Sequence, residues 1–167
     1  DRDMYYSSYL STFVARDVRD LSGSIDALKF NRFVTAVAAR TSQLLNYHAL
    51  AEDADIDIQT AKAWMNILET LGIVFLLYPY SNNVLKRTIK TPKVYCYDTG
   101  LVCYLTKWSS PEVAESGAMS GALLENFTVS EIMKSYQNAG REPYLYFYRD
   151  RDAKEIDIVM EGDGKRF

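Results

Sequence analysis

The segment from residue 46 to residue 72 constrains the fold most, because it carries two helix starts and one helix stop in close succession. Asn46 precedes a short stretch with helical periodicity, and Asp57 precedes a longer one. Asn and Asp are preferred N-cap residues, since their side-chain oxygens accept hydrogen bonds from the first free amides of a helix. Gly72 ends the second stretch, because glycine readily adopts the left-handed conformation that closes many helices. The segment therefore predicts two helices joined by a turn of about four residues, a helix-turn-helix.

Two predicted strands follow this helix pair. Residues 73–78 form an apolar run directly after Gly72, which indicates a buried strand. After a polar stretch, residues 93–97 form the second predicted strand. A helix-turn-helix followed by a two-stranded hairpin predicts a winged helix, with the polar stretch as its wing.

Helical periodicity predicts further elements on both sides of this segment. Residues 4–21 and 26–45 carry apolar side chains at spacings of three and four, and Ser22-Gly23-Ser24 separates them. Asp98 is expected to cap another short helix that runs to about residue 106. Residues 1–107 are therefore expected to form one helical and winged-helix domain.

The C-terminal residues predict a second, smaller unit. Residues 108–120 contain Ser109-Ser110-Pro111 and few large apolar side chains, which favours a linker. A helix over 121–138 and strands over 144–149 and 155–160 are expected to follow. The predicted fold class is thus mixed α and β, with a partial α/β lobe at residues 121–167.

Length and composition exclude several classes of protein. The 167 residues are 48% apolar, which is enough to bury a core. No run reaches the roughly 20 apolar residues of a membrane span, and the first residues lack the layout of a signal peptide, so we expect a cytoplasmic chain without membrane contact. It begins without Met and stops just after two predicted strands, which suggests a piece of a longer protein. Cys96, Cys103 and His48 are too few for a structural zinc site, so buried free thiols and a non-catalytic histidine are expected.

The predicted wing is the candidate nucleic-acid contact. The net charge is −3, so a contact with phosphate must be local rather than a property of the whole chain. Four cations lie in one segment of eight residues of the predicted hairpin, and they could contact a nucleic-acid backbone. These are Lys86, Arg87, Lys90 and Lys93.

The outward face of the second helix of the pair is less suited to phosphate. It carries one cation, Lys62, and one anion, Glu69. The alternative is therefore that the winged helix binds another protein or another domain, and that the basic residues form a solvated loop.

Two carboxylates of the C-terminal unit are the candidate metal ligands. Glu125 lies on a helical stripe with Val129 and Ile132, so it should face packed surface. Asp157 and Glu155 project from one face of the last strand. If that face meets the helix, Glu125 and Asp157 could bind one Mg²⁺, as metal-assisted phosphodiester hydrolysis requires. The alternative is that Glu125 pairs with Arg149 or Arg151 and that the strand carboxylates are merely exposed.

The order of several short motifs resembles one known family. The chain is similar to the C-terminal domain of unknown function that follows the ATPase module in AAA-type ATP-binding proteins of bacteria and archaea. The resemblance spans nearly the whole chain. It rests on residues 9–10 with 15–18, 39–46, 64–69, 72–74, 92–95 with 98–101, 121–127 and 155–157.

This resemblance implies a winged helix followed by a lobe like the PD-(D/E)XK restriction-endonuclease core. Glu125 and Asp157 match two acidic positions of that core, whereas its Glu-x-Lys strand would lie beyond Phe167. ATP would bind to the upstream ATPase module. The expected function is a noncatalytic accessory region that couples this ATPase to a partner, either DNA or another protein. The alternative is part of a Mg²⁺-dependent DNA nuclease.

Overall fold

A computed structural model describes residues 1–13, 16, 18, 25–81, 91–150, 152, 154–162 and 165–166 of the chain. Within these residues it has seven helices and two three-stranded antiparallel sheets, which confirms the mixed α and β class. The helices are α1 (Arg2–Phe13), α2 (Ala27–Ala39), α3 (Tyr47–Ala54), α4 (Ile58–Thr70), α5 (Thr99–Leu105), α6 (Pro111–Ser116) and α7 (Ser120–Asn138). The strands are β1 (Gln43–Leu44), β2 (Val74–Leu77), β3 (Lys93–Cys96), β4 (Leu145–Arg149), β5 (Glu155–Gly162) and β6 (Lys165–Arg166).

The predicted helix caps are confirmed. Asn46 accepts a hydrogen bond from a backbone amide of α3, and Asp57 and Asp98 do so for α4 and α5. Asp26 caps α2 in the same way. Gly72 follows α4 with a φ of 67°, the left-handed conformation that its position predicts.

The helix α2 is shorter than the periodicity predicts. The first helix is described over Arg2–Phe13, and most of its predicted remainder, up to residue 21, lies outside the described residues. The helix α2 ends at Ala39 because the chain turns at Ser42 and enters β1. The amide of Ser42 donates to the Val94 carbonyl at 2.8 Å, so pairing with a distant strand overrides the local helical pattern.

The first sheet has the order β1-β3-β2, and its two faces pack against different parts of the chain. Val74 and Val94 face the first hydrophobic core, formed with the helices α2 to α5. Phe75 and Tyr95, the next residues along their strands, face the opposite side. Successive side chains of a strand point to opposite faces, so the alternation divides one sheet between two cores.

The second hydrophobic core joins the first sheet to the C-terminal unit. The carbonyl of Tyr78 accepts a 3.2 Å hydrogen bond from the Phe147 amide, so the chain after β2 runs beside β4. The helix α7 lies against the same face of the first sheet. The buried members of this core are Phe75, Leu77, Tyr95, Val129, Met133, Leu145 and Phe147.

The segment predicted as a linker contains the helix α6. Ser110 caps this helix, and Pro111 occupies its first turn, where proline is favoured. The same Ser-Pro pair that suggests a loop therefore also starts a helix. Trp108 and Met119 pack against the first core, so the segment is ordered, and the position of the domain boundary stays a prediction.

Two expectations about composition can be compared with the fold. Cys96 is a buried free thiol and Cys103 a half-buried one. Burial raises the pKa of the Cys96 thiol from 9.0 to about 12. Among the described helices, none combines the length and the apolar character needed to cross a membrane.

Candidate functional site

Lys93 and three carboxylates form an ion cluster where the first sheet meets the C-terminal unit; we call it the lysine cluster. The Lys93 ammonium lies 2.8 Å from Oε1 of Glu125 and 3.4 Å from Oδ1 of Asp157. It also pairs with Glu155. Lys93 comes from β3, Glu125 from α7 and the other two carboxylates from β5. The cluster thus unites three elements that are distant in the sequence.

The members of the lysine cluster differ in their exposure to solvent. The Lys93 side chain is 4% exposed and the Glu125 side chain 19%. Asp157 is 58% exposed, and of the three carboxylates it lies farthest from the ammonium. The cluster is therefore closed on the side of β3 and α7 and open at Asp157.

Tyr95 and Arg149 occupy further acceptor positions of the carboxylates. The Tyr95 hydroxyl donates to Oε1 of Glu125 at 2.6 Å, the same oxygen that Lys93 contacts. Arg149 lies 3.4 Å from Oε2 of Glu155. These contacts fix Glu125 and Glu155 more firmly than Asp157.

The electrostatics of the cluster favour the protonated forms of Lys93 and Tyr95. Burial lowers the pKa of Lys93, but hydrogen bonds and attraction from Glu125 and Glu155 outweigh it, so the pKa lies above its ordinary value of 10.5. Burial and the hydrogen bond to Glu125 raise the pKa of Tyr95 far above 10.0. Lys93 is therefore a permanent cation at ordinary pH.

The structure brings Glu125 and Asp157 together, as the metal hypothesis requires, but with a cation already between them. Mg²⁺ would need oxygen ligands at about 2.0–2.1 Å. The Lys93 ammonium occupies the space toward which these carboxylates point. Within the described residues, no three or more acidic, histidine or cysteine side chains are arranged to hold a metal ion. The residues present do not fit Mg²⁺ in this arrangement.

The alternative for Glu125 is an ion pair with Arg149 or Arg151, and the structure tests the first of these. Arg149 pairs with Glu155 rather than with Glu125. Glu125 pairs with Lys93, and Arg151 lies outside the described residues.

A second polar contact lies beside the lysine cluster, centred on Asn126; we call it the amide network. The Asn126 side chain is fully buried. Its Oδ1 accepts hydrogen bonds from the Thr41 hydroxyl at 2.5 Å and the Cys96 amide at 2.8 Å. Its Nδ2 donates to the Cys96 carbonyl at 3.1 Å and to the Thr99 hydroxyl at 2.9 Å. The amide network therefore joins α7 to the ends of α2, β3 and α5.

The predicted nucleic-acid contacts are placed in different ways. Lys86, Arg87 and Lys90 lie outside the described residues. Lys62 is exposed on α4, and its ammonium lies 5.8 Å from the ring centroid of Tyr47. Lys93 is buried in β3 rather than exposed in the wing, because its register places it on the face that meets the carboxylates.

Sequence reasoning missed Tyr95 and Asn126, although both carry a detectable signal. Tyr95 lies two residues after Lys93 in β3, so the two side chains share a face of the strand. Asn126 lies on the inward stripe of α7 between Leu123 and Ser130, at spacings of three and four. A polar residue on a buried stripe needs a partner, and this requirement points to a specific contact.

Comparison with known proteins finds two families without an assigned function and two relatives. Residues 120–167 match the family described as "Domain of unknown function (DUF4143)". The whole chain is 28% identical to an uncharacterized protein of Mycobacterium bovis and to one of Mycobacterium tuberculosis. It spans 37% of the length of each. No solved structure gives a significant match. Residues 1–112 match the family described as "Domain of unknown function (DUF8612)", and the chain belongs to that family.

Proposed function

We propose that this chain is a noncatalytic accessory region of an AAA-type ATP-binding protein, and that it recognises another protein. In this proposal residues 27–96 form a winged helix, and the C-terminal unit is a lobe of the restriction-endonuclease type. Both serve as recognition surfaces and couple the ATPase module to a partner. ATP would bind to that module.

The order of elements supports the winged helix. The helices α3 and α4 are joined by a short turn, and β2 and β3 follow as an antiparallel hairpin. The short strand β1 adds to the outer edge of β3. The sequence suggested the helix pair and the hairpin but not this third strand.

The single observation that carries the noncatalytic role is the lysine cluster. The two carboxylates that resemble nuclease ligands, Glu125 and Asp157, both contact the ammonium of Lys93. A carboxylate that neutralises a buried lysine is not free to bind the metal that phosphodiester hydrolysis needs.

The charge around the α3–α4 turn favours a protein partner over a nucleic acid. Glu52, Asp53, Asp55 and Asp57 are exposed on this turn and its flanks. The first turn of α4 also exposes Ile58. Asp53 and Asp55 pair with Arg40 and Lys29, so this surface carries a weak negative charge. It offers phosphate no cluster of cations, whereas its mixed polar and apolar side chains suit a protein partner.

The C-terminal match supports the link with an ATPase. The family that matches residues 120–167 is known in AAA-ATPase-associated contexts. The relatives are longer than this chain, so the activity of the whole protein belongs to the proposal.

A cleavage assay tests the noncatalytic role. The chain is incubated with supercoiled plasmid and Mg²⁺ or Mn²⁺, and nicking is followed on a gel. We expect no cleavage by this chain. Metal-dependent nicking that Asp157→Ala abolishes would contradict the proposal and support the nuclease alternative.

A binding assay tests the coupling to the ATPase module. The ATPase module of the same parent protein is expressed separately and titrated with this chain by calorimetry. We expect saturable binding that weakens when Ile58→Asp alters the α3–α4 surface or when Phe127→Asp alters α7. The exposed residue Val113 provides a matched control, and Val113→Asp should not change binding. No binding in this titration would contradict the coupling role.

DNA contact through the wing is a second candidate, which the sequence favours because Lys86, Arg87 and Lys90 lie within five residues. Fluorescence anisotropy with a labelled duplex at several salt concentrations tests it. If the wing binds phosphate, replacing the three cations by alanine should remove salt-sensitive retention and flatten the salt dependence. Binding that is unchanged in this variant would exclude the wing as the contact.

A further inference from the structure

The lysine cluster lies on the boundary between the two parts of the chain. Lys93 belongs to the first sheet, which the match to residues 1–112 covers, whereas Glu125, Glu155 and Asp157 lie within the match to residues 120–167. The ammonium also lies 5.6 Å from the ring centroid of Phe147, a member of the second core. The cation and its partners thus come from two different family regions.

The number of carboxylates around Lys93 equals the number of N–H donors of its ammonium group. An ammonium has three N–H donors and no acceptor. Three carboxylates lie around Lys93, one for each donor. A lysine placed in this way satisfies all of its donors without water, which is consistent with the 4% exposure of its side chain.

We infer that Lys93 is a built-in counter-ion that latches the two parts of the chain together and closes the Glu125, Glu155 and Asp157 carboxylates to divalent cations. The ammonium is part of the Lys93 side chain, which is anchored in β3. A free metal ion would therefore have to displace this side chain from the carboxylates. This inference rests on the proposed function and deepens it, because it states how the carboxylates that resemble nuclease ligands are kept from binding a divalent cation.

The geometry explains why the latch resists displacement. Glu125 is held by both Lys93 and the Tyr95 hydroxyl, and Glu155 is held by Lys93 and Arg149. Asp157 is the most exposed of the three carboxylates, with a side chain that is 58% exposed against 24% for Glu155 and 19% for Glu125. An ion that enters there meets one exposed carboxylate, with the lysine charge directly behind it, and is repelled.

Mn²⁺ binding, measured by the electron paramagnetic resonance of the free ion, tests this inference on the whole chain. The wild-type chain should show no saturable binding that depends on Asp157. Lys93→Met keeps the length of the side chain and removes its charge, so this variant should bind Mn²⁺ at least about tenfold more tightly. The gain should be lost in the double variant Lys93→Met/Asp157→Asn. Lys134→Met is the matched control, because it removes a more exposed lysine of α7 that pairs with Glu131 on the same helix.

Two results would overturn the inference. One is wild-type binding of Mn²⁺ that Asp157→Asn removes, and the other is a folded Lys93→Met chain that gains no affinity. Wild-type binding without plasmid nicking would reject the latch and leave the noncatalytic role intact, so the two proposals fail separately.

A chemical measurement covers the case in which Lys93→Met does not fold. Lysines of the wild-type chain are acetylated under limiting reagent, and each site is followed by mass spectrometry. Lys93 should react much more slowly than Lys134, and an excess of Mg²⁺ should not accelerate it. Equal reactivity, or acceleration by Mg²⁺, would show that the ammonium leaves the carboxylates and would overturn the inference.

Discussion

Glu125 and Asn126 are neighbours on α7, yet they join this helix to the rest of the chain in opposite ways. Asn126 is uncharged and fully buried, and its two acceptor and two donor positions are all used. Glu125 belongs to a charged cluster that is open to solvent at Asp157. The amide network should therefore depend on geometry alone, whereas the lysine cluster should respond to salt, pH and competing ions.

The largest effect is expected at the amide network. Asn126→Ala leaves the Cys96 amide and the Thr41 hydroxyl buried without their partner. We expect a loss of about 3 kcal/mol in the free energy of unfolding, because unmade buried hydrogen bonds cost their full desolvation. Urea denaturation measures it. The loss should be the same at low and high salt, and the exposed control Asn66→Ala should change stability by less than about 0.5 kcal/mol.

A smaller loss is expected for the cation of the lysine cluster. Lys93→Met should cost about 2 kcal/mol, below the value for a fully buried pair, because its partners are partly solvated. The difference from wild type should shrink in high salt, since salt screens the exposed carboxylates. A loss that is independent of salt would make the lysine cluster resemble the amide network and contradict the comparison.

The next effect concerns Tyr95 and the free energy of unfolding at alkaline pH. Tyr95→Phe removes the hydroxyl that donates to Glu125 and should cost about 1 kcal/mol at neutral pH. The pKa values of Tyr95 and Lys93 are both raised on folding. Their contribution is therefore fully present below the ordinary pKa values of 10.0 and 10.5 and is lost as the pH rises through the higher values of the folded state. Burial likewise raises the pKa of Tyr6 to about 12.

Urea denaturation between neutral pH and pH 11 checks this alkaline loss. Tyr95→Phe should fall less steeply than wild type, because phenylalanine has no hydroxyl to ionise. The exposed control Tyr144→Phe should follow the wild-type curve. A Tyr95→Phe curve parallel to wild type would contradict the assignment.

The smallest effect is expected at the exposed edge of the lysine cluster. Asp157→Asn should change the free energy of unfolding by less than about 0.5 kcal/mol, because exposed ion pairs contribute little. Glu125→Gln is the matched comparison, since the same change of charge is made at a carboxylate that is 19% exposed and bonded to Tyr95. Equal losses for the two variants would show that the exposure of a carboxylate does not determine how much it contributes to stability.

Local signals predict much of the fold. Asn46, Asp57 and Asp98 cap helices because a side-chain oxygen and the next few amides are enough to form a cap. Gly72 ends α4 for an equally local reason. The helix α7 and the strands β4 and β5 also lie close to their predicted ranges.

Elements that depend on distant partners were not predicted. The strand β1 has two residues and exists through its pairing with β3, so no local pattern marks it. The predicted extension of α2 to residue 45 fails for the same reason. The sequence groups Lys93 with the wing because it follows three other cations, although Lys93 and Tyr95 are two residues apart and therefore share one face of the strand.

The sequence by itself determined the helix caps, the alternation of β3 and the helical stripe that carries Glu125, because each depends on residues within a few positions of one another. Only the tertiary structure decided which cation meets that carboxylate. Lys93 lies 32 residues from Glu125 and 64 from Asp157 along the chain. Burial of the second hydrophobic core brings α7 and β5 onto the face of the first sheet that carries Lys93. The gain from burying apolar area does not depend on how far apart the residues lie in the sequence.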